Sequence, residues 1–207
     1  MFGLGTLLAY MWFTQSAYFP TFLEWSERNI VLYYFILIFS KIIGIIWPPI
    51  PGGVFTLGSI PVLGWLGAYI ADLAGSMIGS TIAYLLAKKY GLSFMKNIFD
   101  DEIIEKIKRL RVNPKHEIES IFVFRIFGGN VMELFCYGAG LLRVNFFKYI
   151  LASFAAHLTI GIPTFYLIRN ILSGKGILIS IGFFITLVFL FFTLKHRYFE
   201  IEKTELN

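Results

Sequence analysis

The chain has 207 residues, of which 57% are hydrophobic and only 15% are charged, with a net charge of +5. Soluble domains contain a larger charged fraction, and a fold of this size could not hide so much apolar surface from water. The composition therefore excludes a soluble globular domain and predicts an all-α, multi-pass membrane bundle. The single cysteine, Cys136, excludes an internal disulfide.

Residues 1–28 form the first predicted unit of the chain. The first twenty residues are apolar, but they are interrupted by polar residues and end at Pro20. We interpret this region as a helix that lies at the membrane surface or inserts partly, with a sixth span as the alternative.

The main membrane domain is predicted over residues 29–170, and it opens with a broken apolar segment. Residues 30–47 are just long enough to cross a hydrocarbon core of about 30 Å. Three prolines then stop the helix, because proline removes a backbone donor and clashes with the preceding turn. Since residues 48–61 are too short to cross, we predict a re-entrant loop there.

Residues 62–87 form the most regular predicted span. Small residues recur along it at helical spacing, including Gly75 and Gly79, and such a stripe lets another helix approach closely. Asp72 lies on the same stripe. An acid at that depth requires a cation or a proton.

A basic connection follows, because residues 88–119 contain eight of the eighteen Lys and Arg residues. Within it, residues 99–112 predict an amphipathic helix on the membrane surface. We expect this charge to meet lipid headgroups and expect no nucleic-acid partner. By the positive-inside rule, this connection and the tail at 196–207 are cytoplasmic.

The second broken segment is predicted at residues 118–141, interrupted by Gly128, Gly129 and Asn130. It is followed by a span at 146–169, which contains a proline that predicts a kink.

A C-terminal transmembrane helix is predicted at 171–195. With the charge placement above, the two broken segments enter the membrane from opposite sides, as an inverted repeat requires. Broken segments at matching places in two halves point to a transporter-type site near the bilayer midplane.

Five ionisable residues fall within apolar segments, where charges are costly and usually functional: Lys41, Asp72, Arg125, Glu133 and His157. Asp72 and Arg125 could instead form a structural ion pair, and Lys41 could reach the end of its span. Glu133 could carry a proton or pair with Lys41, and His157 could be a packing residue or a relay. No nucleophile–base or metal-ligand spacing is visible, so we expect no catalytic residue, metal or cofactor.

Arg125 is the candidate for holding a phosphate, because a guanidinium grips phosphate with two parallel hydrogen bonds. The N-termini of broken helices would add positive dipole ends beside it. We expect close approach of a headgroup at Gly52, Gly53, Gly128, Gly129 and Asn130. The residues expected to shape the hairpins and pack the helices are Pro49, Pro51, Gly75, Gly79, Gly138 and Gly140.

Four motifs between about residues 40 and 170 resemble those of the DedA/VTT family, the SNARE-associated Golgi protein group of integral membrane proteins. They are Pro49-Ile50-Pro51-Gly52; Gly75 to Tyr84 followed by Lys88-Lys89-Tyr90-Gly91; Phe122-Val123-Phe124-Arg125; and Tyr137-Gly138-Ala139-Gly140-Leu141 followed by Phe146-Phe147.

The resemblance implies two facing re-entrant hairpins and movement of lipids between leaflets, coupled to protons in some bacterial members. This chain has Gly53 where many bacterial members have an acid. It has Gly128 where many have proline, and it has Asn130-Val131 near the place where many have a second arginine. Asp72 and Glu133 are candidates for the missing carboxylate.

The leading hypothesis is therefore a lipid scramblase or flippase and not an enzyme. Its partners would be anionic or zwitterionic phospholipids or polyprenyl phosphate, with a homo-oligomer as an open possibility. We expect it in a prokaryotic cell (inner) membrane with both termini cytoplasmic. The alternatives are a proton-coupled carrier of a small or lipid-linked anion, a membrane enzyme acting on lipid phosphates, and a scaffold that uses residues 99–112.

Overall fold

The computed structural model of the protein describes residues 12–47, 52–97, 99–101, 104–105, 117–127, 132–173, 182 and 185–186. For residue 127 and residues 132–134 it describes the backbone alone. The tail at 196–207, most of the predicted helix at 99–112 and most of the predicted C-terminal span lie outside these residues. So do the two predicted hairpin tips, at 48–51 and 128–131.

The regular secondary structure in these described ranges is helical, which confirms the predicted all-α class. The helices are α1 Phe19–Arg28, α2 Ile30–Ile46, α3 Gly52–Gly58, α4 Ile60–Met95, α5 Glu117–Phe127, α6 Met132–Leu141 and α7 Phe146–Leu172.

Two of these helices, α4 and α7, are long and apolar enough to cross a membrane. The predicted spans at 62–87 and 146–169 lie within them. Helices α1 and α2 could form a third span together, but they meet at an angle of 106°. Gly64 and Gly91 interrupt α4 near its two ends with φ angles of 67° and 63°, a conformation that favours glycine.

Three short helices lie beside the broken segments. Helices α3, α5 and α6 have 7, 11 and 10 residues. At about 1.5 Å per residue none of them reaches across a core of about 30 Å. Helix α3 packs against α2 and α4, α5 packs on α7, and α6 packs on α4. The re-entrant position of these helices in a bilayer stays a prediction.

Glycines allow the close helix contacts around α4. A Cβ atom at Gly75 would lie 2.7 Å from the Cβ of Lys41 on α2, and Gly79 faces the same helix. A Cβ atom at Gly140 of α6 would collide with the backbone carbonyl of Tyr84 on α4. A larger residue at these positions would push α2 or α6 away from α4.

Buried tyrosines join α4, α6 and α7 and tie helix ends together. The rings of Tyr84 and Tyr149 stack with their centroids 5.1 Å apart. The hydroxyl of Tyr84 donates to the carbonyl of Val144, and that of Tyr137 donates to the carbonyl of Ile46 at 2.7 Å. Ile46 ends α2, where backbone carbonyls lack helical partners. The Tyr137 hydrogen bond therefore links the second half of the chain to the end of the first broken span.

Glu117 fastens the start of α5 to the start of α7. Its two carboxylate oxygens accept hydrogen bonds of 2.8 Å from the backbone N–H of Asn145 and from Lys148 Nζ. Partial burial would raise the pKa of Glu117, but these hydrogen bonds and the Lys148 charge lower it below its usual value. The ionised form of Glu117 therefore stabilises this junction.

We predict that Glu117→Gln destabilises the protein by about 1 kcal/mol at neutral pH and that this loss disappears in acid. A carboxyl whose pKa is lower in the folded state stabilises the fold above its unfolded pKa of about 4.3. That contribution is lost as the pH falls through the folded pKa. Thermal unfolding in detergent micelles from neutral to strongly acidic pH measures the difference between the two proteins.

Glu24→Gln is the matched control, because Glu24 pairs with Arg28 at 3.9 Å on an exposed surface. We expect its effect to be small at every pH. A Glu117→Gln loss that stays constant into strong acid would contradict the assigned role.

Candidate functional site

A cavity of about 190 Å³ lies where helices from both halves of the chain meet. Its polar and charged lining comes from α2, α4, α5 and α7. The described residues of this kind are Lys41, Asp72, Ser76, Arg125, Ser153, His157 and Thr164. Four of the five ionisable residues singled out in the sequence thus line one cavity. The side chain of the fifth, Glu133, lies outside the described residues.

Side chains from three other helices contact the carboxylate of Asp72. Lys41 Nζ on α2 lies 2.9 Å from Oδ1, and Thr56 Oγ1 on α3 donates to the same oxygen at 2.6 Å. His157 Nε2 on α7 lies 3.0 Å from Oδ2. Because the Asp72 side chain is only 6% exposed, these groups replace the water that it loses on burial.

The cation beside Asp72 is therefore Lys41 and not Arg125, which the sequence offered as one possible partner. The pairing follows from the close packing of α2 on α4 at Gly75. That contact brings the stem of Lys41 alongside α4 one turn from Asp72.

Arg125 is held at a second position in the same cavity. Its Nε donates to Ser153 Oγ at 3.1 Å, and its Nη2 donates to Ser80 Oγ at 3.0 Å and to Tyr149 OH at 2.9 Å. The guanidinium carbon also lies 5.4 Å from the centroid of the Tyr149 ring. These hydroxyl groups come from α4 and α7, and they orient the guanidinium within the cavity.

Two rows of polar residues face each other across the α4–α7 contact: Asp72, Ser76 and Ser80 on α4, and Tyr149, Ser153 and His157 on α7. Each row has a four-residue spacing, which places it on one helix face. Asp72 meets His157 at one end, and Tyr149 OH lies 3.4 Å from the Ser80 carbonyl at the other. The two helices therefore run antiparallel, and the rows extend over about 12 Å, more than a third of a hydrocarbon core.

Sequence reasoning missed several of these polar partners. For Tyr149 and Ser153, the signal was a repeat at intervals of four that ends at His157. Ser80 belongs to the small-residue stripe of α4, and that pattern predicts close helix packing and not a hydrogen bond to a cation. Nothing in the sequence around Thr56 indicates its hydrogen bond to Asp72, because that contact requires α3 to fold back onto α4.

The glycines of the first broken segment lie against Lys41. A Cβ atom at Gly53 would lie 3.4 Å from Lys41 Nζ, and one at Gly52 would lie 2.9 Å from the Lys41 Cα. An acid at position 53 would therefore reach the ammonium, and in this chain Asp72 is the carboxylate beside it. Gly128, Gly129 and Asn130 lie outside the described residues.

The apolar helices and the ionisable groups enclosed between them are those of an integral membrane protein. The chain belongs to the VTT domain (DedA) family, whose model matches residues 48–170. This confirms the family that the sequence motifs indicated.

Among curated proteins, the chain is 28% identical over 114 residues to an uncharacterized protein of the archaeon Methanocaldococcus jannaschii. That match covers 55% of this chain and 69% of the relative. No solved structure matches the chain significantly.

We predict that Lys41→Met and Asp72→Leu each destabilise the protein by about 3–5 kcal/mol, because each leaves a buried charge without its partner. The double variant should lose clearly less than the sum of the two, since it removes both charges together. Thermal unfolding of the four proteins in detergent measures this double-mutant cycle.

Arg169→Met is the matched control for removing a cation, because Arg169 is exposed near the end of α7 and does not line the cavity. Its loss should add to that of Asp72→Leu. Strict additivity between Lys41→Met and Asp72→Leu would show that the ion pair is not formed in the folded protein.

Proposed function

We propose that this protein moves lipids with phosphate-bearing headgroups between the two leaflets of a membrane, and that it is a transporter and not an enzyme. The headgroup passes along the two facing polar rows, while the acyl chains stay in the bilayer. The barrier being lowered is the large free-energy cost of moving a charged group through hydrocarbon. The observation that carries the proposal is Arg125, whose guanidinium lines a cavity between apolar helices and is oriented there by the hydroxyls of Ser80, Tyr149 and Ser153.

Arg125 binds the phosphate in this proposal. A guanidinium presents a planar set of donors that matches two phosphate oxygens. Among the described lining residues, Lys41 and Arg125 are cations and Asp72 is the acid, with His157 titratable. We propose that these two cations bind an anionic headgroup, such as phosphatidylglycerol or a polyprenyl phosphate, better than a zwitterionic one.

The absence of a side chain at Gly53 supports the same function, because this residue lines the cavity beside the Lys41 ammonium. A headgroup can then approach the backbone of α3. We also propose headgroup contacts at Gly128, Gly129 and Asn130, whereas Gly52 packs against the backbone of Lys41 and does not line the cavity. We place the protein in a prokaryotic cell membrane with both termini cytoplasmic, on the strength of the basic connection at 88–119.

We predict that Arg125→Ala slows lipid exchange by about tenfold to a hundredfold, the range expected for losing hydrogen bonds to a charged group. Arg125→Lys should be intermediate, because an ammonium keeps the charge but not the paired donors. The assay uses proteoliposomes with a fluorescent phospholipid and measures the fraction that a membrane-impermeant quencher reaches. Phosphatidylglycerol and phosphatidylcholine probes test the headgroup preference.

Arg169→Ala is the matched control, since it removes an exposed arginine that does not line the cavity. It should exchange lipid at the wild-type rate. Thermal unfolding of each variant separates a lost function from a lost fold, and Arg125→Lys carries the test if Arg125→Ala does not fold. A folded Arg125→Ala protein with wild-type exchange would overturn the proposal.

A second candidate, a proton-coupled carrier of a small or lipid-linked anion, is favoured by the groups around Asp72. His157 lies beside this carboxylate, faces Lys41 across it, and stacks on Tyr69 with ring centroids 5.8 Å apart. Arg125 is the further charged residue described in the lining of this cavity. Protonation of His157 would add a second cation beside Asp72 and weaken the ion pair between Asp72 and Lys41.

For a proton-coupled carrier we predict that an imposed pH gradient accelerates exchange severalfold and that an ionophore removes the acceleration. His157→Gln should keep the basal exchange and lose the response to the gradient, because glutamine hydrogen-bonds without titrating. The same proteoliposomes provide the measurement. Exchange that is independent of the gradient in the wild-type protein would exclude this candidate and leave the first one standing.

A further inference from the structure

A second cavity, of about 470 Å³, lies between α1, α2 and α3. Its walls are mainly aromatic and aliphatic. They include Phe19 and Phe22 of α1, Tyr33 and Leu37 of α2, and Val54 and Phe55 of α3. We refer to this cavity as the aromatic pocket.

The walls of the aromatic pocket suit hydrocarbon and not a polar ligand. The hydroxyl of Ser40, which also lines it, already donates to the Leu37 carbonyl at 2.8 Å. The ring of Tyr33 packs edge-on against those of Phe22 and Trp25. Ordered water needs several polar partners, whereas the volume lies in the range of about 300–1,000 Å³ typical of ligand sites.

Helix α1 covers one side of the pocket and has two chemically different faces. Phe19 and Phe22 point to the pocket, while Glu24 and Arg28 form an ion pair with side chains 73% and 80% exposed. An amphipathic helix of this kind lies where lipid headgroups meet acyl chains. Because α1 meets α2 at 106°, an α1 that lies along the membrane surface would place the pocket beneath it beside the start of the acyl chains.

The pocket has walls that face outward and a wall shared with the polar cavity. Ile36 and Phe55 line it and are each 46% exposed, so they contact lipid in a membrane. On α2, Ser40 lines the aromatic pocket, whereas the next residue, Lys41, lines the polar cavity. On α3, Val54 lines the aromatic pocket, whereas the preceding residue, Gly53, lines the polar cavity. Successive Cα atoms are about 3.8 Å apart, so a single layer of backbone separates the two spaces.

We propose that the aromatic pocket binds one acyl chain of a bilayer phospholipid. The chain enters past Ile36 and Phe55 and lies beneath α1, beside the cavity that contains Lys41. The binding does not require transport. Loss of exchange in Arg125→Ala and loss of acyl binding are therefore separate results.

The test uses the full chain in phosphatidylglycerol vesicles that contain a phospholipid with a photoreactive diazirine in one acyl chain. After illumination, mass spectrometry maps the adducts. Wild-type protein should be labelled at the pocket walls. Val54→Phe, which places a larger side chain inside the pocket, should reduce that labelling by about tenfold, equivalent to a loss of about 1.4 kcal/mol in binding.

Val31→Phe is the matched control, because Val31 lies on α2, is 65% exposed and does not line the pocket. It should leave the pocket labelling unchanged. Ser40→Leu narrows the pocket from α2 and carries the test if Val54→Phe does not fold. Arg125→Ala should be labelled like the wild type, which separates this proposal from the transport mechanism.

Two results would overturn the proposal. Equal labelling in the wild-type protein, the two pocket variants and the control would show contact with bulk lipid only. Labelling that appears at the walls only after residues 2–11 are deleted would show that the chain's own N-terminal segment occupies the pocket.

Discussion

The buried carboxylate of Asp72 is the group on which the arrangement of this site depends. A charge removed from water costs several kcal/mol, and only well-placed partners recover that cost. Here Lys41, Thr56 and His157 come from α2, α3 and α7 to surround a side chain on α4. The contacts that offset the desolvation cost of the Asp72 carboxylate therefore also fix the relative positions of four helices.

Close packing is the condition for this ion pair. A Cβ atom at Gly75 would meet the stem of Lys41, so a larger residue would move α2 outward and separate the ammonium from Asp72. The small-residue stripe and the buried charge on α4 are thus one feature. The stripe lets the backbone of α2 approach α4 closely enough for the Lys41 ammonium to contact the Asp72 carboxylate.

The two cations described in the lining of the cavity come from different halves of the chain. Lys41 is on α2, before the first break, and Arg125 is on α5, before the second. The polar rows of α4 and α7 connect them, and the hydrogen bond from Tyr137 to the Ile46 carbonyl ties the halves together. In the proposed mechanism a phosphate finds a cation at each end of a polar path about 12 Å long. The aromatic pocket adds a hydrocarbon site beside one end of that path.

The sequence by itself determined the helical class, the positions of the two long spans in α4 and α7, and the identity of the ionisable residues. These properties are local, since hydropathy and helical period are read within one segment and a charge in an apolar run stands out. Only the tertiary structure decided that Asp72 pairs with Lys41, that Thr56 supports it, and that Ser80 and Tyr149 hold Arg125. Those pairings join helices distant in the chain. The physical reason is that crossing geometry and close approach at glycine select partners, and no single segment encodes either one.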